Sequence, residues 1–83
     1  MVMGITVEGH TDSTGTEKRN SILSTQRANA VKFYFLNKRP QWIEIISAMG
    51  KASSFPIANN KTEKGRAANR RVKIILAYKN KNN

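Results

Sequence analysis

The sequence predicts an α+β chain in which one long helix lies on a small sheet. Two short runs alternate apolar residues with others, a third short run is rich in isoleucine, and one longer run repeats its apolar residues at steps of three and four. No internal repeat, linker or low-complexity stretch interrupts the chain, and its 83 residues make one domain at most. The predicted order is strand, helix, strand, short helix, strand over residues 1–78, with a basic polar tail at 79–83.

The first strand rests on Met3, Ile5 and Val7, which alternate with Gly4, Thr6 and Glu8, and it should stop at Gly9-His10. Residues 11–16 hold Asp, Ser, Thr and Gly, the side chains that bond to nearby backbone and tolerate turn dihedrals. Ala28, Val31 and Phe35 then recur at helical spacing, with Phe33 and Tyr34 expected to join them in the core. Ser24 either caps this helix or sits inside a longer one that begins near Thr16. Basic residues followed by Pro40 end it, since proline disfavours helix in the residue before it.

Residues 42–49, with Ile43, Ile45 and Ile46, read as the second strand, and a long loop follows from Gly50 to Lys61. Residues 62–69 read as a short helical turn capped by Thr62. Residues 71–78 give the clearest strand: Val72, Ile74, Leu76 and Tyr78 alternate with Lys73, Ile75 and Ala77. One helix covers little more than one face of three strands. The Ile75/Ala77 face should therefore lack a cover, and the chain reads as incomplete.

Fifteen Lys and Arg against five Asp and Glu give a formal charge of +10, which attracts polyanions and acidic surfaces without choosing among them. There is no cysteine, so neither disulfides nor thiolate-bound metals support the core. Met1 to Val7 is too short and lacks the basic flank of a signal peptide. No window approaches the roughly 18 apolar residues of a membrane span. If the chain works outside the cytoplasm, its export signal lies on other sequence.

The stretch that organises the rest is 9–27, GHTDSTGTEKRNSILSTQR. It sets the carboxylate of Asp12 and the guanidinium of Arg27 on either side of a turn, Arg27 falling one helical turn before Val31 at the edge of the apolar face. On the residues alone Asp12 reads as a turn former and Arg27 as a solvated or locally paired helix residue. Asn20 reads as a helix-entry residue and Leu23 as core. His10, the only histidine, reads as a hydrogen-bonding member of the turn, since no second ligand-type cluster accompanies it to make a metal site. Ser24, His10 and Asp12 lack the nucleophile elbow and oxyanion element of a hydrolytic triad. Arg66, Arg70, Arg71 and Lys73 form a basic cluster without the aromatic spacing of a base-stacking platform.

Three blocks carry a family resemblance: GHTDSTG, NSILSTQRANAV and NKTEKGRAANRRV, in that order and covering most of the chain. Together they resemble the OmpA-like peptidoglycan-binding domain, also found in peptidoglycan-associated lipoproteins and flagellar stator proteins. The resemblance implies an OmpA-like helix-on-sheet sandwich with a mixed sheet. It also implies non-covalent, non-catalytic binding of the diaminopimelate in peptidoglycan stem peptides, with no cofactor. By that likeness Asp12 takes the ligand's ammonium and Arg27 its carboxylate, through a planar fork of donors. Thr11, Asn20 and Leu23 would line the same pocket, with Arg70 or Arg71 nearby. The implied setting is the periplasm, anchoring an outer-membrane or stator-type protein to the cell wall.

The sequence departs from the family pattern in three ways. The strand and long helix that usually precede GHTD are absent, Ala48-Met49-Gly50 replaces a glycine-aromatic-glycine, and the charge is more basic. A homodimer, domain-swapped or face-to-face, is one expected cover for the orphaned face. Two other readings compete with wall binding: a basic module for polyanions such as nucleic acid, and a structural fragment with a dead ligand site. Nucleic acid is the less expected partner.

Overall fold

The computed structural model describes residues 1–79, so the predicted tail at 79–83 lies almost wholly outside the described residues. The elements are β1 (Val2–His10), α1 (Glu17–Lys38), a 3-10 turn (Pro40–Glu44), β2 (Ile46–Gly50), α2 (Glu63–Asn69) and β3 (Arg71–Tyr78). β1 is the central strand of a sheet ordered β2-β1-β3. It runs parallel to β2 and antiparallel to β3, which makes the sheet mixed. α1 is the crossover that parallel pairing of β1 with β2 requires.

Thr16 caps α1, its hydroxyl accepting from the Arg19 amide at 3.1 Å, so the longer of the two helix readings holds. Ser24 lies within α1 and is fully buried against the sheet. There its Oγ accepts from the Ala52 amide at 3.0 Å and donates to the Ser21 carbonyl at 3.0 Å. The helix approaches closely because Gly9 and Gly50 sit beneath it. A Cβ on Gly9 would overlap the Ser24 carbonyl oxygen, and one on Gly50 the Thr25 and Ser24 hydroxyls.

The second strand is shorter than its predicted span of 42–49. Pro40 starts a 3-10 turn instead, and β2 begins only at Ile46. Trp42, at the middle of that turn, packs on Phe35 with ring centroids 6.1 Å apart. The α2 helix keeps its predicted cap, the Thr62 hydroxyl accepting from the Gly65 amide at 3.0 Å.

The core is Ile5, Val7, Ala28 and Ile46, ringed by Val31, Phe35, Leu36, Trp42, Ala48 and Val72. Phe33 and Tyr34 are not part of it; they stand 60% and 61% exposed. Successive helical residues point about 100° apart, and of these three aromatics the face of Ala28 and Val31 takes in only Phe35. The uncovered sheet surface is also larger than predicted. α1 lies over β1 and β2. Ile74 and Leu76 pair with Val7 and Ile5 and so share their helix-side face, yet they remain 44% and 43% exposed. Ile75, on the other face, is similarly open. Among the described residues, β3 thus lacks cover on both sides along its second half.

Candidate functional site

β1 delivers Thr11 and Asp12 into the turn that leads to α1, and both side chains are buried. One carboxylate oxygen of Asp12 accepts from the Thr14 amide at 2.8 Å, the turn-forming bond expected of an aspartate there. The other accepts from Arg70 Nη1 at 2.7 Å. Arg70 reaches it from the residue after α2, and its second terminal nitrogen donates to Glu63 at 2.8 Å. Asn20, buried at the helix entry, donates to the Asp12 carbonyl at 3.4 Å. The Thr11 amide is tied to the Ala52 carbonyl at 2.9 Å.

The charges follow from these contacts. The Thr14 amide, and after it Arg70, hold the Asp12 carboxyl below its ordinary value. Arg70 and then Arg66 depress Glu63, while Glu63 and Asp12 together raise Arg70. The site at rest is an ionised carboxylate–guanidinium–carboxylate chain.

A cavity of about 250 Å³ opens beside this chain. Of the residues singled out by sequence, Thr11, Asp12, Asn20, Leu23, Arg27 and Arg70 line it. Arg27 has no hydrogen-bond or ion-pair partner among the described residues, so its donors remain available to the cavity. Arg71 is not in the lining. It starts β3 opposite His10, and its guanidinium donates to the carbonyls of Phe55 at 3.0 Å and Asn69 at 3.4 Å.

Sequence reasoning missed Thr14, Gly15 and Arg19 in the lining and Glu63 behind Arg70. Arg19 was within reach, because Arg19, Leu23 and Arg27 form an i, i+4, i+8 stripe on α1. His10 is likewise not a turn residue. It faces the outer side of the sheet, its Nε2 3.4 Å from Glu8. Ser24 faces the helix side, so the two residues of the rejected triad lie on opposite faces. Among the described residues no three His, Cys, Asp or Glu side chains gather as metal ligands, and no helix is long and apolar enough to cross a membrane.

The sequence model of the OmpA family matches residues 3–70. The chain belongs to the OmpA family. Outer membrane porin F of Pseudomonas aeruginosa is 49% identical over 67 residues, a match covering 81% of this chain and 19% of the porin. The peptidoglycan-binding protein ArfA of Mycobacterium tuberculosis is 43% identical over 72 residues, covering 87% of this chain and 22% of that protein. The chain therefore spans about a fifth of the length of the curated relatives it matches. Their names describe outer-membrane and peptidoglycan-binding proteins, not enzymes.

Among solved structures, the OmpA-family fold is shared with the peptidoglycan-associated lipoprotein of Burkholderia pseudomallei. The TM-score is 0.81 at 28% identity, over 89% of this chain and 62% of that one. The C-terminal domain of MotB from Helicobacter pylori gives a TM-score of 0.82 at 29% identity, over 92% and 58% of the two chains. The α+β class and mixed sheet expected from the sequence are thus those of the OmpA-family relatives.

Proposed function

We propose that this OmpA-family domain binds peptidoglycan non-covalently through the diaminopimelate of the stem peptide, with Asp12 receiving the ammonium and Arg27 the carboxylate. The observation that carries the reading is the cavity itself: a buried, ionised carboxylate and an unengaged guanidinium line one space of about 250 Å³. A zwitterionic end group presents the complementary pair of charges, and each charge-assisted bond is worth roughly 1.5–3 kcal/mol. Thr11, Asn20 and Leu23 shape the wall around that pair. Arg70 stands at Asp12 where the ligand's ammonium would arrive. Glu63 keeps it paired when the ammonium takes its place. Arg71 lies outside the cavity, held by the Phe55 and Asn69 carbonyls.

In this reading the domain anchors an outer-membrane or stator-type protein to the cell wall from the periplasm. The open apolar strip on β3 supports self-association as well, face-to-face or by exchange of a strand. Sedimentation of the purified chain over a range of concentrations tests that part: a single monomeric species throughout would rule it out.

Binding is tested by titrating the chain with a diaminopimelate stem peptide and, in parallel, with its lysine-containing counterpart. Asp12→Ala or Arg27→Ala should each weaken the first by about tenfold to a hundredfold, and the lysine peptide should bind more weakly from the start. Equal affinity for the two peptides, or wild-type affinity in both folded variants, would sink the assignment.

A further inference from the structure

We propose that the outer face of the sheet carries a second binding site, for a phosphate group, in the cleft framed by Lys51, Arg71 and Lys73. The cleft measures about 240 Å³, nearly the size of the cavity at Asp12, and it opens on the face away from α1. Strand register builds it: Lys73 pairs with Glu8 and Arg71 with His10, so all four side chains leave the same face of the sheet. Lys51 and Phe55 close it from the loop after β2, the Lys51 ammonium lying 5.6 Å from the Phe55 ring centre.

Charge selects the ligand class. Three cations face a single carboxylate, Glu8, and among the described residues none of the three is within ion-pair distance of an acid. The local excess of two positive charges suits a dianion, where a lone carboxylate would leave it half neutralised. Arg71 is held by two backbone carbonyls, which fix its plane without cancelling its charge.

His10 lies beside these cations as a neutral group. It lines the cleft, is 2% exposed under the edge of Phe55, and its Nδ1 is buried without a partner. Burial, and then Arg71, push its pKa down, so the ring is neutral at pH 7. The Glu8 carboxylate can only accept, which assigns the ring proton to Nε2 and leaves Nδ1 as an acceptor.

The test is a titration of the 83-residue chain with inorganic phosphate at constant ionic strength, followed through the NMR signals of the His10 ring. The expected result is a saturable shift that weakens about tenfold in Lys51→Gln/Lys73→Gln. It should stay unchanged in Lys32→Gln/Lys38→Gln, which removes the same charge from α1. A poly(glycerol phosphate) oligomer run beside it identifies the source: at least tenfold tighter binding than phosphate points to a polymer, and equal affinity to the isolated group. A linear response, a shift matched by chloride, or equal weakening in the two double variants would overturn the proposal. Because the stem-peptide cavity lies elsewhere, Asp12→Ala should leave the phosphate response intact, so the two sites fail or hold separately.

Discussion

The two ends of this sheet are held together by different forces. At the end where β1 runs into Asp12, the buried side chains are mostly polar, and most of them have a named partner. Ser24 bonds to Ala52, Asn69 to the backbone of Ile57 and Ala58, and Asp12 to Thr14 and Arg70. At the other end the side chains are large and apolar, and Phe33, Tyr34, Ile74, Leu76 and Tyr78 stand in the open. Hydrogen bonds fix angles as well as distances, and the end that carries the ionised Asp12–Arg70–Glu63 chain uses them. Apolar contact is non-directional, and the other end relies on it only where α1 reaches.

Gly9→Ala should test the contrast hardest. Its Cβ would overlap the Ser24 carbonyl, so helix and strand must separate, at about 3 kcal/mol or more. The measurement is thermal unfolding by circular dichroism, and a cooperative transition at the wild-type temperature would mean the close approach is not needed. Asn69→Ala comes next. It leaves the Ile57 and Ala58 amides and the Ala58 carbonyl without their partner in a part-buried network, for about 1–3 kcal/mol in urea denaturation.

Acid should then act on the polar end alone. Asp12 has a folded pKa below its ordinary 3.8. The stability it contributes is therefore present above that value and lost as pH falls through the folded one. Asp12→Asn should flatten the stability curve in that acid window; an unaltered curve would place the acid sensitivity elsewhere. The smallest effect is expected at the apolar end, where Phe33→Ser should change stability by no more than about 0.5 kcal/mol. A loss as large as that of Asn69→Ala would erase the distinction between the ends.

What sequence could foresee follows the same division. Period-two and period-3.6 patterns report which residues face an apolar interior. They located β1, α1 and β3, because Ile5, Val7, Ala28 and Val72 do face one. Phe33 and Tyr34 defeated that logic: hydrophobicity says that a residue seeks cover, not that cover exists. The 3-10 turn at Pro40 was hidden because Ile43 and Ile45 belong equally well to a strand. In the site, the GHTD and LSTQR blocks led to Asp12 and Arg27. The Arg70–Asp12 contact spans 58 positions, and no local pattern predicts which of two adjacent arginines turns inward.

The position of β1 has a mechanical consequence. The described chain enters and leaves at one end of the sheet, where the Lys79 amide bonds to the Met1 carbonyl at 2.9 Å, while Asp12 sits at the opposite end of β1. A pull between Asp12 and Lys79 runs along the strands, not across them. It passes from β3 to β1, so the load is shared in shear by many hydrogen bonds at once and does not open them one by one; a pull from Met1 passes along the β1 backbone itself. Under the proposed wall anchoring, resistance to rupture from the Lys79 side is set by the rate of concerted sliding and not by equilibrium stability.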